Sequence, residues 1–432
     1  MNEILLNNYL PTAFWAMDPI AWQEYVEALK GEARQVLAHY PFRWAFAPPC
    51  DSQQAVDFLR DIGLDDGRVS ADLVGKQFTG LPTFESLVSW GSVDWEVPSG
   101  DEIPPGGFRM IPEWEPMAGA LINWPTFYPP LWDTFRQMVG AVSHTTAFLR
   151  IPEGYLGAAV LAWLGVQGID LNAVRPIPGP VGDIWARDYS PVYGVNRYTG
   201  EPTALKFAFA AFYPEYRERY RHIVEIDSRF AWTEGFRVYR TEMMYDGGYL
   251  VTDGNGTYVM TRRVLSDNAH ISNLYARLET WLGADRLIII DEEPGDALGH
   301  INHIKFISPH RVLVGLPDDE RSPVYRYHAN LHRLFAEYGY EVIPVPCPVG
   351  QDRLLPGGWH SVSLYANSLM LNQRVLVCQF GPGFERYDKQ AVEVYRQALP
   401  DYEIIPIDCS LLSNGGGAIN CTMHEIPAII NP

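Results

Sequence analysis

No stretch of this chain reaches the roughly 20 consecutive apolar residues that a membrane-crossing helix requires. The opening residues, MNEILLNNYLPTAFW, hold no basic segment followed by an apolar one, so no secretory signal is read there. Positive charge is scarce as well. Against 52 Asp and Glu stand 33 Lys and Arg, a formal net charge of −19, and a surface of that sign repels the phosphates of nucleic acid. Five cysteines (Cys50, Cys347, Cys378, Cys409, Cys421) are scattered over 432 residues without a CxxC pair. Neither zinc knuckles nor a dense disulfide framework is expected, and a reducing, cytoplasmic setting is. Membrane and nucleic-acid partners are not expected; a homo-oligomer stays open.

What is present is the composition of an ordinary globular protein, 47% hydrophobic and 20% charged. Two helical patterns, around Ile20–Tyr40 and Gln53–Ile62, are followed by an irregular stretch that ends in the Pro/Gly cluster Val97–Gly107. That cluster is read as the boundary between a mainly helical N-terminal extension, residues 1–107, and a second domain, residues 108–432. The extension carries no chemical motif.

From Phe108 onward a repeated grammar appears: strand, tight turn, strand, amphipathic helix, strand. One copy starts at Asp246-Gly-Gly, with strands flanking Asp253-Gly-Asn-Gly256, a helix over Ile271–Leu282 and a strand over Arg286–Ile290. The next starts near His300, with strands Ile301–Ile307 and Arg311–Gly315, helix Val324–Tyr338 and strand Glu341–Val345. A third starts near His360, with its second strand inside Leu371–Phe380, helix Tyr387–Ala398 and strand Tyr402–Ile407. An earlier copy begins at Ile184–Asp188, and Ala118–Trp124 with Gly415–Met423 would close a ring. The heads Asp188, Asp246, His300, His360 and Cys421 fall about 54 to 61 residues apart. If the units circle one axis, these heads converge, as a shared active site demands.

Cys421 follows a glycine run, Asn414-Gly-Gly-Gly-Ala-Ile-Asn-Cys421, where the backbone can approach a ligand closely. A buried structural cysteine is the alternative. His300 is a natural partner for a thiol, as proton acceptor and then donor. His303 invites a metal reading, but residues three apart on a strand face opposite ways, and no metal or other cofactor is expected. Asp188 and Asp246 could each accept two parallel N–H groups of a guanidinium, or could simply cap turns. Trp185 and Arg187 alternate on the strand expected there, which would set an indole wall beside a cation, with core packing of the ring the favoured alternative.

Taken together, Trp185-Ala-Arg-Asp188, Asp246-Gly-Gly, Gly299-His300, Gly415-Gly-Gly…Cys421 and Glu113-Trp-Glu-Pro…Asn123-Trp-Pro125 resemble the agmatine deiminase and bacterial peptidylarginine deiminase family. The resemblance covers about residues 108 to 432. It implies an α/β pentein fold, a five-bladed propeller of ββαβ repeats. It also implies Cys421 as nucleophile, His300 as acid and base, and Asp188 as guanidinium holder, with Asp246, Asn302, Trp185 and Arg187 lining the substrate. The implied reaction is deimination of a small guanidino substrate through an amidino-cysteine, releasing ammonia and a ureido product. An amidinotransferase and a non-catalytic ligand binder are the alternatives. The chain departs from the family in several places. The family's Gly-His-x-Asp is Gly299-His-Ile-Asn302, Tyr249 replaces an asparagine, and Asn420 stands where histidine is common. The agmatine-type segment reads Phe207-Ala-Phe-Ala-Ala-Phe212, without the arginine pair that would grip a peptide terminus. Agmatine and peptidylarginine are therefore both open as substrates, and Asn302 suggests a substituted or less charged guanidine.

Overall fold

The computed structural model describes residues 50–83, 107–126, 128–179, 184–209, 226–296, 298–322, 324–351, 359–361, 364–415 and 417–429, with isolated residues 27, 30, 31, 102, 104 and 181. The helix expected over Ile20–Tyr40 and most of the Val97–Gly107 cluster lie outside the described residues.

The helix expected from Gln53 is found over Ser52–Asp61 and starts on a reciprocal cap. Gln54 N–H donates to the Asp51 carboxylate at 2.8 Å, and Asp51 N–H donates to Gln54 Oε1 at 2.9 Å. A second helix, Ala71–Thr79, begins at the Ser70 cap in a stretch that reads as irregular. It escaped the sequence reading because Val74 is its one buried residue and Gly75 sits mid-helix. Ala55, Val56, Phe58, Leu59 and Val74 share one apolar core with the Gly154–Val166 helix. Trp163 Nε1 adds a 2.9 Å hydrogen bond to the Leu64 carbonyl.

After β1 (Phe108–Met110), strand β2 (Met117–Asn123) runs parallel to β3 (Thr146–Ile151), with the Trp132–Val142 helix between them. β3 in turn runs parallel to β4 (Val174–Pro178). Strand β5 (Val192–Asn196) pairs antiparallel with β1 and with β6 (Pro202–Phe209), and β6 lies parallel to β7 (Arg237–Tyr245). The next unit pairs β8 (Leu250–Thr252) with β9 (Thr257–Thr261) as a hairpin. The Leu274–Leu282 helix then leads to β10 (Arg286–Ile290), parallel to β9. Strands β11 (Ile304–Ser308) and β12 (Arg311–Leu316), helix Tyr325–Glu337 and β13 (Glu341–Pro346) repeat that order. After the small hairpin of β14 (Val349–Gln351) and β15 (Trp359–Ser361), it recurs in β16 (Leu369–Leu371), β17 (Arg374–Gln379), helix Glu385–Ala398 and β18 (Glu403–Asp408). Finally β19 (Met423–Pro427) returns to pair antiparallel with β2.

The local cause is the same in each unit. A middle strand such as β17 buries Val375, Leu376, Val377 and Cys378 in succession, so both of its faces need cover. The helix that follows supplies one cover. Asp388, Ala391, Val392, Tyr395 and Ala398 are buried at helical spacing. The result is an α/β architecture of mixed sheets, and among the described residues no helix is long and apolar enough to cross a membrane.

Three expectations need correction. Ile184–Asp188 is not a strand: Ala186–Tyr189 forms one helical turn, so Trp185 and Arg187 do not alternate on a sheet. β11 starts at Ile304 rather than Ile301, because the Ile301 N–H is taken by the Gly248 carbonyl at 2.7 Å and residues 302–303 form a turn. His360 belongs to the β14–β15 hairpin, and the strand heading that unit is β16.

Phe58→Ala should lower unfolding stability by roughly 3–5 kcal/mol in urea titration. A change under about 1 kcal/mol would mean that the N-terminal helices do not share the core.

Candidate active site

The heads of four units and the turn before β19 bring polar residues together. Asp246 ends the extended backbone after β7 and caps the Gly247–Tyr249 turn, accepting the Gly248 N–H at 3.1 Å. Its other neighbour is His300, whose Nε2 lies 3.1 Å from Asp246 Oδ1, although the contact is not aligned as a hydrogen bond. Gly248 makes that approach possible, since a Cβ there would fall within the imidazole ring. Asp188, half-buried on its helical turn, completes the group: one atom from each of Asp188, Asp246 and His300 lies within 4.8 Å of the others.

Burial alone would push His300 down, but Asp246 beside it, with Asp188 and Asp296, raises it to about 10. At neutral pH His300 is an imidazolium. Tyr249 stands edge-on to this ring at 5.7 Å and donates to Asp267 Oδ2 at 2.7 Å. The three side chains Asp188, Asp246 and His300 could hold a metal ion only after that proton is lost, whereas two carboxylates suit an organic cation directly.

Cys421 lies on a one-turn helix, Ile419–Thr422, just ahead of β19. Its Sγ accepts from Asn367 Nδ2 at 3.1 Å and lies 3.5 Å from Asn302 Oδ1. Burial pushes the thiol up to about 12, with Asp188 adding to the effect while Asn367 and Arg187 oppose it. One glycine of the run serves packing. A Cβ on Gly417 would collide with the Trp185 ring, so this glycine makes room for an indole packed in the core beside Cys421.

Arg187 does not line the site as expected. Its Nη2 pairs with Glu425 Oε2 at 2.5 Å, and its Nε donates to the Asn420 carbonyl at 2.6 Å. The guanidinium therefore ties the Cys421 turn to β19. Glu113 acts in a similar way. Lys305 Nζ donates to Glu113 Oε1 at 2.7 Å and to the Ser368 carbonyl at 2.6 Å, and Asn420 Nδ2 reaches the same Glu113 oxygen at 3.3 Å. His303 lies apart from this group, buried, with Nε2 3.0 Å from Tyr327 Oη.

Asn367 escaped the sequence reading. It sits in Tyr365-Ala-Asn-Ser368 immediately before β16, a position like that of Asn302 before β11. That parallel was the available signal, but the even spacing of unit heads drew attention to His360.

Fold and site define an α/β protein of repeated mixed sheets, with a buried thiol, an imidazolium and paired carboxylates drawn from separate units. The chain belongs to the Porphyromonas-type peptidyl-arginine deiminase family, whose model matches residues 109–427. A relative from Selenomonas ruminantium, named provisionally as an agmatine deiminase, is 26% identical over 372 residues, covering 75% of this chain and 96% of the relative. Among solved structures, the agmatine deiminase of C. jejuni aligns with TM-score 0.63 at 18% identity, over 74% of this chain and 96% of its own. That of Enterococcus faecalis aligns with TM-score 0.62 at 21% identity, over 75% and 97%.

Asp246→Asn should lower the His300 pKa from about 10, because burial is then opposed only by the more distant Asp188 and Asp296. NMR titration of the imidazole checks this; a value still near 10 would assign the shift elsewhere. In the wild type, alkylation of Cys421 by neutral iodoacetamide should rise about tenfold per pH unit between roughly pH 7 and 10. A plateau near neutrality would show a thiol already ionised.

Proposed function

We propose that this chain is a cysteine-dependent guanidino deiminase, built as a five-bladed pentein propeller with the Cys421 turn closing the ring. The family membership supports the reaction class. The observation that carries the mechanism is the grouping of Asp188, Asp246 and His300, with Asp188 near enough to Cys421 to act on its thiol.

In the empty site the thiol keeps its proton and His300 is charged. A guanidinium held by Asp188 brings positive charge to the sulfur, which favours the thiolate and releases its proton to solvent. Thiolate attack on the central carbon forms the S–C bond. His300 gives its proton to one nitrogen, the C–N bond breaks and ammonia leaves. The amidino-thioether remains. Neutral His300 then takes a proton from water, the hydroxide adds, and the S–C bond breaks to return the thiolate and a ureido product. Net, a guanidinium and water become a urea and ammonium.

Arg187 is a positioning residue here, since it bridges the Asn420 carbonyl and the Glu425 carboxylate. Trp185 supports the turn by packing on Gly417.

Cys421→Ala should cut ammonia release from guanidines by at least about 10³-fold, as loss of a nucleophile does in thiol and serine enzymes. Mass spectrometry should also show no adduct on the variant after an amidine inactivator. Turnover surviving the change would remove this mechanism.

A further inference from the structure

The backbone fixes the orientation of two amides at the nucleophile. Asn420 N–H donates to Asn367 Oδ1 at 2.9 Å, with the Asn367 main-chain carbonyl a longer second acceptor at 3.3 Å; turning the side-chain amide round would set its NH₂ against this N–H, donor against donor. Asn367 Nδ2 is thereby turned toward Cys421 Sγ at 3.1 Å and Asn302 Oδ1 at 2.9 Å. A donor in that place requires an acceptor opposite, so Asn302 is fixed as well. Its Oδ1 faces Asn367 and the thiol. Among the described residues, the side-chain hydrogen bonds of Asn302 all run through Oδ1, so its NH₂ has no protein acceptor there.

An unsubstituted guanidinium offers only donors. Against the Asn302 NH₂ it would set donor against donor, leaving both unpaired in a partly dehydrated place. We infer that Asn302 selects a guanidine whose nearby terminal nitrogen carries a hydrogen-bond acceptor, an N-hydroxy, N-acyl or N-carbamoyl substituent, over an unsubstituted guanidinium. The inference rests on the deiminase reading and adds its substrate class. Asn367 is the positioning residue that imposes the choice. A carboxylate at position 302 would reverse it, presenting acceptors to both neighbours.

Two reagents of equal reach read this out without turnover. 2-Chloroacetamidine presents an amidinium with donors only, and 2-chloroacetamide presents a carbonyl acceptor. The ratio of their Cys421 labelling rates in one protein cancels the thiolate fraction, which a new charge at 302 would otherwise change. Asn302→Asp should raise the amidine-to-amide ratio about 10- to 100-fold, the span expected for a hydrogen bond to a charged group. Asn302→Leu, apolar and of similar size, should slow the amide without speeding the amidine. Steady-state assays should match, with wild-type kcat/KM for an N-hydroxyguanidine above that for agmatine, and Asn302→Asp inverting the order. A ratio in Asn302→Asp within about twofold of wild type would overturn the inference while leaving the deiminase reading intact. Labelling of Cys421 by neither reagent would overturn the deiminase reading, and this inference with it.

Discussion

Asp246 beside His300, closed off from water by Gly248 and Tyr249, sets the electrostatics of the whole site. Desolvation makes an isolated charge costly, and a carboxylate 3.1 Å away reverses that cost for the imidazole. The ring therefore waits as an acid. The same dryness and the Asp188 charge hold the Cys421 thiol in its neutral form. The centre thus combines a charged imidazole with a neutral thiol.

A second layer of buried charge holds this arrangement in place. Arg187 with Glu425 fastens the Cys421 turn to β19, and Lys305 with Glu113 and Ser368 fastens it to β11 and β16. Each ion is surrounded by hydrogen bonds from several chain segments, the condition under which buried pairs are tolerated. Lys206, buried on β6 and donating to the Tyr189 carbonyl, extends the same interior; burial and then Arg150 lower it to about 7. Polar residues at strand heads thus do structural work for the centre without touching a substrate.

Much of this was legible. Continuous apolar runs and the period-3.6 pattern placed the middle strands and helices of the later units to within a few residues, because a strand covered on both faces must be continuously apolar. Cys421, His300, Asp188 and Asp246 stood out as reactive types at the starts of units. The stretches that failed share a cause. Trp185–Tyr189, His300–His303 and Tyr365–Ser368 are short segments whose backbone hydrogen bonds go to distant side chains or local turns, and no periodicity records such partners.

The order of the units, the identity of the thiol and imidazole, and the replacement of a carboxylate by the Asn302 amide are properties of the sequence by itself. The tertiary structure decided that Arg187 faces Glu425 instead of a ligand, that Asn367 holds the sulfur, and which way the two amides point. Those outcomes depend on backbone groups 50 or more residues away in the chain, such as Asn420 N–H on Asn367 Oδ1 and the Asn420 carbonyl on Arg187, separated by 53 and 233 positions. Local residue chemistry can offer a donor or an acceptor; only the closed chain says which one it meets.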